Sequence, residues 1–168
     1  MAEPAHIRHG STVDPVEVER FARIADAWWD PQGKFAPLHR LNPVRIGFIR
    51  DRAADHWRRE PLSGTPLQGL SLLDIGCGGG LLSEPMARLG ATVTGIDAAE
   101  PNLDTARRHA AGQALAIDYR ATTAEALVEL GAQFDIVLAL EVVEHVADVD
   151  LFLRSVATLA RPGGLVFL

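Results

Sequence analysis

The sequence predicts an α/β fold in which helices cover both faces of a parallel sheet. From residue 70 onward, apolar runs of strand length alternate with segments of helical periodicity, the pattern of parallel strands joined by helical crossovers. The run Gly76-Cys77-Gly78-Gly79-Gly80 stands where the first strand should meet the next helix, and Pro162-Gly163-Gly164 turns the chain into a last strand.

Taken in order, residues 1–13 read as a loose lead-in, rich in small and polar residues. Asp14 is placed to cap a helix, Pro15 fits its first position and Glu17 completes a capping-box spacing. Val18, Phe21, Ala25 and Trp28 continue that helix on one face. Trp29 to Gly33 breaks it, and Asn42-Pro43 restarts a helix with Ile46, Ile49, Ala53 and Trp57 on one side. Four breakers, Pro61, Gly64, Pro66 and Gly69, make the segment from Arg58 a loop.

Strands are then expected at 70–75, 92–96, 116–119, 134–140 and 165–168. Helices are expected at 81–89, 101–111, 123–130 and 150–160. Pro85 falls early enough in its helix to be tolerated. The sequence stops within the fifth strand, so the expectation is a C-terminally truncated sheet lacking its last strands. The segments group into an N-terminal helical lid over residues 1–68 and an incomplete α/β core over 69–168, within one structural domain.

Composition narrows the function classes. The 168 residues are 48% hydrophobic and 23% charged, as in an ordinary globular domain with a real core. A net charge of −6 disfavours nucleic acid, which requires a basic face. The single cysteine, Cys77, excludes an internal disulfide framework and fits a reducing compartment. Without a membrane-spanning run or an apolar signal core, the sequence reads as cytoplasmic, with room for peripheral membrane contact. His6, His9, His56 and His109 show no partner pattern and read as solvent-facing. Arg107-Arg108-His109 reads as a solvated helix face.

The glycine run permits positive φ and lets a ligand approach the backbone, while the helix start beyond it offers free N–H groups. Alone it is weak evidence, since some such loops are only tight turns. The dinucleotide fingerprint requires glycine where Leu81 stands, which disfavours a nicotinamide or flavin dehydrogenase. Asp97 ends the second expected strand about twenty residues past the loop, where a carboxylate can accept both hydroxyls of a ribose. A helix cap would use the same residue. Asp74 is expected to organise the loop, and Cys77, lacking an activating partner, reads as a small loop residue.

Together Asp74, the glycines, Asp97, Phe134-Asp135-Ile136-Val137 and Pro162-Gly163-Gly164 resemble, in order over residues 70–168, the motifs of class I S-adenosylmethionine methyltransferases, implying their Rossmann-like fold. Trp28-Trp29-Asp30, Phe35-Ala36-Pro37-Leu38-His39-Arg40, Leu41-Asn42-Pro43-Val44-Arg45 and Glu141-Val142-Val143-Glu144-His145 further resemble the ubiquinone-biosynthesis O-methyltransferases of bacteria. That resemblance implies methylation of a phenolic oxygen on a polyprenyl catechol or demethylubiquinol. It also implies contact with the inner membrane and with other proteins of that biosynthesis. Carried over residue by residue, it implies cofactor contacts at Arg45, Gly76, Asp97 and Leu140, with Arg45 a fork for the methionine carboxylate; Asp74 and Gly78, in the glycine-loop motif, are counted with them as cofactor-binding candidates. Thr123-Ala124-Glu125 falls where such enzymes touch the adenine. It implies a divalent metal, Mg2+ or a similar ion, at Glu141, Glu144 and His145, and a second role for His145 as general base. The same three residues also suit helix-capping or pocket-polar roles. Another small-molecule methyltransferase, or a cofactor-binding fragment without catalysis, remains compatible with the same core.

Overall fold

The structure, a computed structural model, describes residues 11–168. The expectations for residues 1–10, including His6 and His9, lie outside the described residues. Five parallel strands, β1 (Ser71–Ile75), β2 (Thr92–Asp97), β3 (Asp118–Ala121), β4 (Phe134–Leu138) and β5 (Ala160–Phe167), form one sheet in the order β3-β2-β1-β4-β5. The order reverses between β1 and β4, which leaves a crevice beyond their carboxyl ends, where ligands bind in such sheets.

Alternation along β1 sends successive side chains to opposite faces. Leu72 packs with Ile49 and Ala53 of α2 (Ala36–His56) and Met86 of α3 (Ser83–Arg88). Leu73 packs with Leu127 of α5 (Ala124–Glu129) and with Phe152 and Val156 of α6 (Val149–Leu159). A third cluster joins Leu103 and Ala106 of α4 (Glu100–Gly112) to Tyr119 and Cys77. The predicted α/β class and parallel sheet are therefore observed. Asp135 ties three strands together: Ser71 donates to it from both N–H and hydroxyl at 2.8 Å, and Arg161 donates at 2.8 Å. Burial opposes ionisation of Asp135, but these donors outweigh it and hold its carboxyl below the usual range.

Several local expectations are corrected. The first helix, α1 (Pro15–Ala22), is capped by Asp14, which accepts from the Val16 N–H. Glu17 makes no capping box; it turns to Arg20 and His145 instead. The helix stops at Ala22, and a separate 3-10 turn at Ala25–Ala27 carries the chain to Trp28. Helix α2 starts at Ala36 rather than at Asn42, because Pro37 already supplies the helical φ of a first turn. Pro43 is accommodated inside it, and Asn42, instead of capping, donates to the Leu81 carbonyl at 3.0 Å. The Pro162-Gly163-Gly164 turn is absorbed into β5 as a register shift against β4.

His109 is not solvent-facing. Its Nδ1 donates to Glu84, a carboxylate only 1% exposed, at 2.6 Å, and its ring stacks on Trp29 at 3.5 Å. His56 is exposed but bonded to the Gly163 carbonyl. The predicted solvated face at Arg107–His109 thus holds only in part: Arg107 and Arg108 lie on the surface.

Candidate functional site

The N-terminal segment and helices line one side of the crevice. Val13 bridges Val146, and the Thr12 carbonyl accepts from the Ala147 N–H, so residues 12–13 lie across the crevice. Trp28 stacks on Phe35 at 3.8 Å between centroids, and Leu81 packs into the same cluster. This is the structural use of Leu81 where a dinucleotide fold has glycine. Trp29 donates to the Gly79 carbonyl, and His39 to that of Trp28.

The glycine run forms the floor. Gly76 has φ +66°, and a Cβ there would fall 2.5 Å from a methyl of Val142. Gly78, at φ +53°, lies under Trp28; a Cβ would come within 2.3 Å of the indole. A side chain at Gly76 would collide with Val142 and one at Gly78 with Trp28, and either would strain the backbone.

Asp97 closes the end of β2. Its Oδ2 accepts from the Gly78 N–H at 3.0 Å; its Oδ1 accepts from Ala99 N–H at 2.8 Å and from Asn102 Nδ2 at 3.2 Å. Of about four acceptor positions on a carboxylate, three are used. One more donor therefore fits as the site stands, and a second would displace Asn102, the longest of the three bonds. Burial raises the Asp97 carboxyl above the ordinary value, opposed by these donors.

Asp74 is fully buried and accepts from the Ser83 hydroxyl at 2.6 Å. Burial, opposed by Ser83 and reinforced by the charge of Asp97, pushes its carboxyl up to about 7. The folded value exceeds the ordinary 3.8, so the folded protein holds this proton more tightly than the unfolded chain. The resulting stabilisation is complete below pH ~4 and is lost as pH rises through about 7. At ~1.4 kcal/mol per unit it is on the order of 4 kcal/mol. Asp74→Asn, which keeps an acceptor for Ser83, is expected to flatten the fall in melting temperature between pH 5 and 8. Parallel melts of parent and variant check this, and identical pH slopes would contradict it. The buried Cys77 thiol is pushed far up, chiefly by burial, which keeps it protonated and agrees with its reading as a loop residue.

Gly76, Asp97, Thr123, Glu141 and His145 line the main cleft with Glu17, Phe21 and Asn102. Arg45, Asp74, Leu140, Leu81 and Asn42 line an adjoining one; Gly76, Trp28 and Glu141 border both. The structure thus gathers the predicted residues around one crevice, with two exceptions: Gly78 reaches it only through Asp97, and Glu144 lines neither cleft. Glu125 is turned to the N-terminal segment, accepting from the Thr12 N–H at 2.6 Å.

The expected metal cluster is not formed. Glu141, at φ +57°, forms an ion pair with Arg45 across 96 residues of sequence. His145 Nδ1 lies 2.8 Å from Glu17, and its Nε2 is 3.9 Å from Glu144. Among the described residues no three His, Cys, Asp or Glu side chains converge to hold a metal ion. Glu141 is drawn to Arg45 and the His145 Nδ1 to Glu17, so as arranged here the three predicted ligands do not meet around a shared ion.

Reasoning from sequence missed Glu17, Asn42, Ser83 and Asn102. Asn102 alone carried a signal: five residues past Asp97, it falls in the first turn of the following helix, directed back at the strand end.

Residues 73–168 match the family model described as "Methyltransferase domain". The chain is 61% identical over 157 residues to the ubiquinone biosynthesis O-methyltransferase of Sinorhizobium medicae (strain WSM419), and 57% identical to that of Brucella ovis (strain ATCC 25840 / 63/290 / NCTC 10512). In both cases the match covers 94% of this chain and 63% of the relative, so the chain spans under two thirds of the length of these curated relatives. Among solved structures it is similar to the magnesium protoporphyrin IX methyltransferase of Synechocystis PCC 6803 with bound SAM, with a TM-score of 0.64 and 24% identity, over 87% of this chain and 67% of that one. It is also similar to a 16S rRNA N2 G1207 methyltransferase of T. Thermophilus in complex with AdoMet and guanosine, with a TM-score of 0.54 and 25% identity, over 72% of this chain and 33% of that one.

Proposed function

This chain belongs to the methyltransferase-domain family, and from that premise we propose that it is the cofactor-binding part of an S-adenosylmethionine-dependent O-methyltransferase of ubiquinone biosynthesis. The observation that carries the reading is the 57–61% identity, over 94% of the chain, to relatives of that name. The crevice suits the cofactor: a floor of positive-φ glycines, a carboxylate at the end of β2 with one acceptor position open, and a guanidinium at the adjoining cleft.

In this reading Asp97 accepts a ribose hydroxyl, and Gly76 gives the backbone room for the ligand. Gly78 holds Asp97 in place, and Asp74 braces the loop through Ser83. Arg45 takes the methionine carboxylate, exchanging it for Glu141, and Leu140 packs beside the adenosine. The helices before residue 69 act as the lid. The cofactor supplies a methyl group on a sulfonium, already reactive toward an oxygen nucleophile. The protein's task is then to orient the acceptor and remove its proton. His145 is the residue for the proton: Glu17 beside Nδ1 fixes the ring and leaves Nε2 for the phenol.

The acceptor is a polyprenyl catechol or demethylubiquinol, met at the cytoplasmic face of the inner membrane alongside other proteins of the same biosynthesis. No described helix is long and apolar enough to cross a membrane. Offering the protein a prenylated catechol, a free amine and a carboxylic acid, each with labelled S-adenosylmethionine, tests the reading. Label is expected on the catechol oxygen; transfer to another acceptor with none to the catechol overturns it.

A further inference from the structure

Asn102 is 1% exposed, in the first turn of α4, and joins two parts of the molecule that are 69 residues apart in sequence, Trp28 and Asp97. The Trp28 indole donates to its Oδ1 at 2.9 Å, and its Nδ2 donates to Asp97 Oδ1 at 3.2 Å. The chemistry of the partners fixes this orientation. An indole N–H can only donate and an ionised carboxylate can only accept, so the amide has one way round that satisfies both. Trp28 is itself held by its stack on Phe35 and by its contact with Gly78 and Gly79. A rigid aromatic of the N-terminal segment therefore sets the amide, and the amide sets one oxygen of the carboxylate.

With Oδ1 held by Ala99 and Asn102, and Oδ2 held only by Gly78, the open acceptor position falls on Oδ2. We propose that Asn102 is a positioning residue for nucleoside binding: oriented by Trp28, it fixes the plane of Asp97 so that Oδ2 is presented to a ribose hydroxyl. Seating of the N-terminal helices and affinity for the nucleoside are then coupled through one side chain, and each strengthens the other. The inference rests on the cofactor reading above and adds to it the residue through which the lid acts.

Calorimetric titration with S-adenosylhomocysteine, and with its 2′,3′-dideoxy analogue, tests the inference on parent, Asn102→Ala, Asn102→Asp and Trp28→Phe. Asn102→Asp keeps the acceptor for Trp28 but sets a second carboxylate against Asp97. Both Asn102 variants are expected to bind S-adenosylhomocysteine about 10-fold more weakly, with the dideoxy analogue unchanged. Trp28→Phe keeps the ring stack without the donor and is expected to lose about 3-fold or more. Combined with Asn102→Ala it should add nothing further, as for residues acting in series. Should the Asn102 variants fail to fold, Trp28→Phe supports the same comparison. Parent-like affinity in the folded variants, or equal weakening toward both ligands, overturns the inference. A parent that binds neither ligand removes the cofactor reading, and the inference falls with it.

Discussion

Asp97→Ala is expected to weaken S-adenosylmethionine binding about 100-fold while leaving the fold in place. Hydrogen bonds to a charged group contribute about 1.5–3 kcal/mol each, and the variant loses the ribose contact together with the order of the loop that makes it. In the protein, Asp97 holds the N–H groups of Gly78 and Ala99 and the amide of Asn102. Removing it frees the glycine run and the start of α4 together. Folding is affected less, because burial already disfavours the charged carboxyl and raises its pKa. The apolar clusters on both sheet faces do not include it. Calorimetry alongside thermal melts separates the two effects. An unchanged dissociation constant in a folded variant refutes the ribose role; a collapse of the melt instead makes Asp97 a structural residue.

His145→Ala is expected to lower turnover on the catechol by ~10²–10⁴-fold, the usual range for a positioned acid–base group, with cofactor affinity within about 2-fold of the parent. The imidazole lines the main cleft, edge-on to Phe21 at 5.2 Å, with Glu17 at its Nδ1. Phe21 and Glu17 both come from α1, so the ring's orientation depends on the N-terminal helix as well as on its own loop. Single-turnover rates with saturating cofactor read the chemical step directly. If the variant instead loses cofactor affinity and keeps its rate, His145 is a wall of the pocket and not a base.

The strands and helices of the core were legible because their apolar periodicity is strong and their punctuation is Gly and Pro. The α2 start was not, because Pro37 and Pro43 both carry a helix-start signal and only packing decides between them. The outcome turned on Asn42, which looks like a cap and instead reaches the Leu81 carbonyl. Site residues at strand ends, Asp74 and Asp97, follow from topology and are readable. Glu17, His109 and Asn102 are not readable, since their partners lie 128, 25 and 74 residues away. The three residues expected to hold a metal do not converge in the structure for a related reason. The family resemblance implied that Glu141, Glu144 and His145 share an ion, but an ion pair with Arg45 and a contact with Glu17 draw two of them apart.

Titrating the protein separately with S-adenosylmethionine and with NAD tests the central claim most directly, since both cofactors favour a glycine loop followed by a strand-end acid. One S-adenosylmethionine per chain and no heat with NAD is the predicted result. Absence of S-adenosylmethionine binding, or saturable binding of NAD in its place, would contradict the account.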